Sequence, residues 1–200
     1  MDWKKEYANK IVSVEEAVSH VQSGNRIVFT HACGEAQALT EELVRQADRL
    51  ENVEIVHMVA MGKAPYCQPG MEKHFRHNAL FVGGSTRKAV EEGRGDYTPC
   101  FFHEIPKLFT DGTLPVDVAF LQLSEPDENG VCSYGVSVDY TQPAAEAAKL
   151  VIAQINKNMP YTYGNGINLK DIDYIVEKDE PLLNCSLLKL GKQNIKSGNM

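Results

Sequence analysis

The chain has 200 residues, which is enough for one sizeable hydrophobic core but short for two complete domains. Its formal net charge of -7 and the lack of any Lys/Arg cluster argue against binding to nucleic acid. No apolar segment approaches the ~20 residues of a membrane span and the N-terminus lacks a signal peptide's apolar segment, so we expect a cytoplasmic protein that does not enter a membrane.

Five cysteines are scattered along the chain without any CxxC pair, at Cys33, Cys67, Cys100, Cys132 and Cys185. An odd number without paired spacing fits neither a disulfide framework nor a zinc site. We therefore expect reduced thiols and no metal.

The N-terminal part of the chain predicts helix and strand in alternation. An amphipathic helix is expected at residues 3–8, and Ser13 with Glu16 forms a capping box for the next helix, which ends by Gly24. A strand at residues 26–30 and a helical pattern at 38–50 follow.

The same alternation continues to the C-terminal part. Further strands are predicted at 53–59, 79–84, 98–102, 118–123, 150–155 and 172–176, and further helices at about 85–92 and 104–109, the latter with Pro106 in its first turn. An Ala-rich helix lies before residue 150. Strands separated by helices predict an α/β fold with an open, mostly parallel sheet flanked by helices. We expect one domain over residues 1–183, whereas the polar stretch 184–200 has no sustained period and is expected to be a tail or a truncated linker.

Small or polar residues follow several predicted strands, in the sequences HACGE (31–35), MGK (61–63), GGS (83–85) and SEPDENG (124–130). Such loops lie where α/β proteins usually bind ligands, because glycines let a ligand approach the backbone. The alternative is that α/β loops need these residues for turns alone, and the pattern does not separate the two. The chain has neither a GxGxxG after its first strand nor a GxxxxGK[ST], which disfavours dinucleotide and P-loop functions.

Other groups of side chains that could bind a metal or carry out catalysis have weaker support in the sequence. His74 and His77 are spaced to share one helical turn and bind a metal, but no further ligand is spaced beside them. His31 near Cys33 and Glu35 allows a nucleophile with its base, although a histidine at a strand end more often orients a substrate. GVCSYG (130–135) is not a GxSxG elbow, and the acidic residues of 125–128 are typical of a solvated turn.

Four segments together resemble the acetyl-CoA hydrolase/transferase family of CoA-transferases. They are HMVAMGK (57–63), HFRHNALFVGGSTR (74–87), GDYTPCFFHEIPKLF (95–109) and the stretch from residue 116 through NKNMP (156–160). The similarity extends over residues 3–183 in order and without a break, and stops in the tail.

The resemblance implies a two-domain enzyme with an active site in the cleft between two α/β halves, of which this chain resembles the N-terminal half. It implies transfer of CoA from an acyl-CoA to a free short carboxylate, with CoA as a substrate and no separate cofactor. The catalytic glutamate of the family belongs to the C-terminal half, so no catalytic residue is assigned here. The chain alone is expected to be inactive, with an apolar face that a C-terminal domain or another copy of the chain covers.

In the family the N-terminal half supplies one wall of the acyl pocket. The matching substrate-binding candidates are His31, Gly34, Glu35, Met58, Met61, Gly83, Gly84 and Ser124. His31 is our first choice for contact with the acyl or carboxylate group, and for the two methionines core packing is an equal alternative. Acyl-CoA hydrolysis, and a non-catalytic half that pairs with another chain, remain the rival functions.

Overall fold

The computed structural model describes residues 2–184, in which nine strands and six α-helices alternate for most of the chain. The strands are β1 (Arg26–Phe29), β2 (Val53–His57), β3 (Phe75–Ala79), β4 (Gly95–Tyr97), β5 (Val118–Leu123), β6 (Val131–Ser133), β7 (Leu150–Ile155), β8 (Gly166–Asn168) and β9 (Tyr174–Glu177). The α-helices are α1 (Trp3–Glu6), α2 (Val14–Ser19), α3 (Gln37–Arg45), α4 (Arg87–Glu91), α5 (Ile105–Thr110) and α6 (Thr141–Ala147).

Seven strands form one sheet in the order β4-β3-β2-β1-β5-β7-β9, and every neighbouring pair is parallel. Strands β6 and β8 form a separate antiparallel pair. The predicted α/β class with an open, mostly parallel sheet is therefore confirmed. Strands buried on both faces explain why β5 and β7 are apolar apart from one glutamine in each.

Alternate residues of the central strand point to opposite layers of helices. Ile27 and Phe29 of β1 pack in a cluster with the buried residues of α2 and α3, whereas Val28 packs in another with those of α5 and α6. The two-residue side-chain period of a strand causes this division. The sheet is thus covered on both sides, and its strand ends are left as the place for a site.

Four predicted strands have the wrong bounds, and the first of them, expected at 53–59, is β2 and ends at His57. The third was expected at 79–84 but is β3, which pairs in register with β2 from Val53↔Phe75 to His57↔Ala79. The fourth was expected at 98–102 but is β4, and the last begins at Tyr174 rather than at residue 172. Strand β8 was not predicted. The helical turn proposed for His74 and His77 is also wrong, because His77 lies within a strand.

The N-terminal segment is held on the far edge of the sheet. Nζ of Lys10 donates to the carbonyls of Lys170 and Ile172 at 2.7 and 2.6 Å, and Ile11 bridges to Ile175 of β9. The expected capping box is present in part, since the Ser13 hydroxyl accepts from the Glu16 amide at 3.0 Å. No helix within residues 2–184 has both the length and the apolar character to cross a bilayer. Of the predicted tail at 184–200, all but Asn184 lies outside the described residues.

Candidate functional site

The strand order changes direction at β1, which makes the carboxyl end of this strand the topological switch point of the sheet. From β1 the chain builds β2, β3 and β4 on one side of the sheet, and then crosses to form β5 on the other side of β1. In open α/β sheets ligands bind outside the carboxyl ends of the strands at such a switch point. The predicted residues His31, Gly34 and Glu35 follow β1 directly and lie there.

His31 is held by residues from the loop that precedes α6. Its ring Nδ1 lies 2.8 Å from Oδ2 of Asp139, and its backbone amide donates to the hydroxyl of Ser137 at 2.8 Å. A carboxylate only accepts hydrogen bonds, so Nδ1 carries the proton and Nε2 is the nitrogen left for a ligand. The rings of Phe102 and Tyr140 lie 5.7 and 5.6 Å from the imidazole. His31 is therefore fixed in position and tautomer.

The turn after His31 is fixed just as tightly. Residues Ala32–Gly34 form one 3-10 turn, and a Cβ on Gly34 would lie 2.6 Å from Cβ of Ser137, so no larger residue fits. The amide of Gln122, on β5, donates to the carbonyls of Gly34 and Glu35 at 3.3 and 2.7 Å. Gln122 is in turn held by Asn156 at 2.6 Å, which follows β7. Three strand ends thus set the path of this loop.

Glu35 is a buried carboxyl, with 2% of its surface exposed. One of its oxygens accepts the Gly62 amide at 3.1 Å. Burial raises the pKa of Glu35 from 4.5 to about 7, against the smaller lowering effects of the Gly62 and Thr40 hydrogen bonds, and Glu180 raises it further. A carboxyl with such a pKa can hold or release a proton near neutral pH.

Glu35 lies at a cavity of about 340 Å³. The cavity is bounded by the start of α3, the loop after β2 and the segment after β9, with Gln37, Thr40, Glu41, Met61, Gly62, Lys63, Pro65 and Leu183 as its other lining residues. This volume is within the range of about 300–1,000 Å³ that small-molecule sites occupy. The structure therefore brings Glu35 and Met61 together, as two predicted residues on one cavity.

The remaining predicted residues lie apart from this cavity. Met58 packs beside Val28, Val56 and Tyr140, and its amide lies 3.4 Å from the Tyr140 hydroxyl. Gly83 is buried, with a Cβ position 4.0 Å from the Ala60 carbonyl. Gly84 is exposed and open to solvent on its Cβ side. Their roles as substrate contacts stay predictions.

The Ser124 hydroxyl forms hydrogen bonds to backbone groups of nearby residues. Its hydroxyl donates to the Glu125 carbonyl at 2.8 Å and accepts the Ser133 amide at 2.9 Å, and only 2% of the residue is exposed. Within residues 2–184 no hydrogen bond joins it to His31 or Glu35. These contacts fasten the loop after β5 to β6, and a substrate contact for Ser124 remains a prediction.

Several large apolar side chains are exposed around the same strand ends. We call Phe81, Tyr97, Phe101 and Phe102 the aromatic rim; their exposed fractions lie between 47% and 71%. Phe81 follows β3, Tyr97 ends β4, and Phe102 touches the His31 ring. Exposed apolar residues in one region are typical of an interaction surface.

Sequence reasoning missed three residues that the structure places in these two sites. Asp139 and Phe102 hold the His31 ring, and Lys63 lines the Glu35 cavity. Asp139 lies 108 residues from His31 in the chain, so no local spacing marks the pair. Lys63 was noted only as part of a strand-end loop.

Comparison with known proteins gives a consistent assignment. Residues 1–184 match the family described as the acetyl-CoA hydrolase/transferase N-terminal domain. The chain is 58% identical over 192 residues to 4-hydroxybutyrate coenzyme A transferase of Clostridium kluyveri, covering 96% of this chain and 45% of that protein.

Solved structures agree with the fold. The structure of 4-hydroxybutyrate CoA-transferase from Porphyromonas gingivalis matches with a TM-score of 0.76 at 37% identity, over 90% of this chain and 42% of that one. RipA from Yersinia pestis matches with a TM-score of 0.89 at 25% identity, over 96% and 47%. The chain thus spans less than half the length of these relatives. It belongs to the acetyl-CoA hydrolase/transferase family, whose N-terminal domain it matches from residue 1 to residue 184.

Proposed function

We propose that this chain is the N-terminal half of an acyl-CoA:carboxylate CoA-transferase that acts on short acyl groups such as 4-hydroxybutyryl, butyryl or acetyl. The observation that carries the proposal is the 58% identity, over 96% of the chain, to a protein named for 4-hydroxybutyrate CoA transfer. CoA enters as a substrate, and no separate cofactor is part of the proposal.

The proposed reaction proceeds in two half-reactions. A glutamate of the other half attacks the thioester carbonyl, expels CoA as a thiolate and becomes an acyl-glutamyl anhydride; the thiolate then attacks the glutamyl carbonyl and releases the first carboxylate. The resulting glutamyl-CoA thioester passes CoA to a second carboxylate by the reverse steps. The activated acyl bond is conserved throughout, which requires a carboxylate nucleophile and a cleft poor in water.

His31 is the residue of this half that we place nearest to the reacting groups. The hydrogen bond to Asp139 fixes its ring at the switch point of the sheet, and Nε2 can accept a hydrogen bond from a hydroxyl of the substrate, or donate one to a carboxylate or carbonyl oxygen when both ring nitrogens carry a proton. Its role is to orient the substrate, because this half is assigned no nucleophile.

The aromatic rim is the surface that we assign to contact with the other half of the enzyme. Its member Phe102 lies 5.7 Å from the His31 ring, and the relative from Clostridium kluyveri is more than twice as long as the region that it shares with this chain. A homo-oligomer that covers the same rim is the alternative partner. Replacing Phe101, of which 71% is exposed, with glutamate is expected to weaken assembly without unfolding the domain.

The test is CoA exchange between butyryl-CoA and acetate, measured for this chain with and without a C-terminal half supplied in trans. Activity is expected only with both halves. Exchange above background by the 200-residue chain alone would overturn the assignment of the nucleophile to the other half. Release of free CoA without acetate would instead indicate the hydrolase alternative.

A narrower test concerns His31. In the completed protein, His31→Ala is expected to raise KM for acetate or acyl-CoA, or to lower kcat. His20→Ala is the matched control, because His20 stacks on Tyr174 at the start of β9, an edge strand that lies three positions from β1 in the sheet. Unchanged kinetics for His31→Ala would remove His31 from the site.

A further inference from the structure

A second cavity lies at the other end of the parallel strands from His31. It has a volume of about 480 Å³ and is bounded by the end of α6, the start of β7, strand β8 and the residues just before β9. We call it the Tyr134 cavity, after the residue that follows β6 at its wall. Among residues 2–184, none lines both this cavity and the one at Glu35. Its volume is within the range of about 300–1,000 Å³ that small-molecule sites occupy.

The Tyr134 side chain presents a buried hydroxyl without a partner. Only 2% of the residue is exposed, and its ring packs in one hydrophobic cluster with Cys132 and Ile167. No hydrogen bond joins its hydroxyl to any residue of the part of the chain that the structure describes. Burial raises the pKa of this hydroxyl, and Glu146 and Asp171 raise it further because their charges lie near the phenol oxygen. Both acidic residues line the cavity, so the oxygen points into it.

The charge of the cavity wall is negative and is not neutralised by the protein. Its carboxylates belong to Glu146, Asp171 and Asp173. Within residues 2–184 none of the three forms an ion pair. The one lining cation among these residues, Lys149, is bonded to Asp117 at 2.8 Å instead. Lys10 directs its Nζ to the backbone carbonyls on either side of Asp171, at 2.7 and 2.6 Å. The wall therefore favours a ligand with positive charge.

The three carboxylates also keep oxygens that can accept hydrogen bonds. Gln142 donates to one oxygen of Glu146 at 2.8 Å, and the Val151 amide donates to one oxygen of Asp173 at 2.8 Å. The other oxygen of each side chain has no donor within residues 2–184, and neither oxygen of Asp171 has one there. A ligand that donates several hydrogen bonds can use these oxygens together with that of Tyr134.

The spacing of the acidic groups favours an organic cation over a metal ion. Within residues 2–184 no three His, Cys, Asp or Glu side chains lie close enough together to hold a metal. An ammonium group donates up to three hydrogen bonds and carries a full positive charge, so it suits a hydroxyl and separate carboxylates. Ala145, Ala148, Val151 and Ile167 give the same cavity apolar surface for a chain of methylene groups.

We propose that the Tyr134 cavity binds a free aliphatic diamine. One ammonium group donates a hydrogen bond to the Tyr134 oxygen and pairs with Glu146 and Asp171, the second pairs with Asp173, and the carbon chain lies against Val151. The inference goes beyond the proposed function, because the cavity is separate from His31 and takes no part in CoA transfer.

The test is isothermal titration calorimetry of the 200-residue chain with putrescine, at low ionic strength so that exposed charges are weakly screened. Saturable binding of one putrescine per chain is expected. The neutral probe 1,4-butanediol has the same carbon chain without charge and should give no saturable heat.

Two variants separate the cavity from general attraction to an acidic protein. Tyr134→Phe keeps the ring and every charge but removes the acceptor oxygen, and should weaken putrescine binding about tenfold. Tyr163→Phe is its control, because Tyr163 is fully exposed and does not line the cavity. Asp171→Asn should weaken binding about two- to fivefold, whereas Glu91→Gln, at an exposed carboxylate on α4, should leave it unchanged.

Three results would overturn the inference. Absence of saturable binding would remove the site, and equal affinities of Tyr134→Phe and the unmodified chain would assign the heat to the net charge of -7. Mg²⁺ that displaces putrescine at equal ionic strength would make the ligand a metal ion. Light scattering distinguishes a free amine from a lysine of another copy: a monomer with and without putrescine supports the free diamine, and a dimer that putrescine dissociates would refute it.

Discussion

Replacing Glu35 with glutamine should change how the stability of the domain depends on pH. The raised pKa, about 7 against an ordinary 4.5, corresponds to about 3 kcal/mol of unfavourable burial of the charged form. Glutamine has the same shape, can still accept the Gly62 amide through its carbonyl oxygen, and carries no charge at any pH.

The direction in which stability changes with pH follows from the direction of the pKa change. A carboxyl whose folded pKa exceeds its unfolded value contributes stability fully below pH 4.5, and loses that contribution as the pH rises through about 7. The unfolding free energy of the unmodified chain minus that of Glu35→Gln should therefore fall by about 3 kcal/mol between pH 4.5 and pH 8. The buried histidines titrate over part of the same pH range in both proteins. Their contribution to the unfolding free energy therefore cancels when this difference is taken.

Urea denaturation at several pH values, followed by circular dichroism, measures these free energies. Glu41→Gln is the matched control, since Glu41 is an exposed carboxylate on α3 beside the same cavity. A difference between unmodified and Glu35→Gln chains that stays constant from pH 4.5 to pH 8 would refute the burial argument. A change of the same size for Glu41→Gln would assign the effect to surface charge.

Three further predictions concern stability. Burial lowers the pKa of His77 to about 4, so its neutral form contributes stability that is present above pH 6.5 and lost as the pH falls through about 4. His77→Asn should reduce the loss of unfolding free energy in acid by about 3 kcal/mol. Unchanged acid denaturation of this variant would exclude protonation of His77 as a cause of that loss. Gly135 has φ of 59°, and a Cβ there would lie 2.6 Å from Cγ of Met159 and 3.0 Å from the Pro160 carbonyl. Gly135→Ala should therefore cost at least about 1–2 kcal/mol in thermal or urea unfolding, and an unaltered midpoint would contradict both the backbone strain and the close contact. Gln122→Leu leaves the Gly34 and Glu35 carbonyls without their donor and should cost about 3 kcal/mol, with Leu121→Met as a volume-conserving control; a loss no larger than the control's would show that the loop does not depend on this amide.

The fold class was predictable because the central strands are apolar on both faces. The bounds of β5 and β7 agree with the sequence pattern, since every residue of β5 and all but the first residue of β7 are buried. Strand β3 was misplaced because its interior includes the polar residues His77 and Asn78, which are buried all the same. Pairing with β2 satisfies their backbone, and Glu54 accepts the Asn78 amide at 2.8 Å. Partners of this kind are not marked by local hydrophobicity.

The sequence by itself determined the alternation of strands and helices, the family, and the positions of His31 and Glu35 after the first strand. Only the tertiary structure decided what surrounds these two residues. Asp139 reaches His31 from 108 residues away, and Gly62 reaches Glu35 from 27. Burial and hydrogen bonding depend on neighbours in space, so the tautomer of the histidine and the raised pKa of the carboxyl appear only when parallel strands bring their ends together.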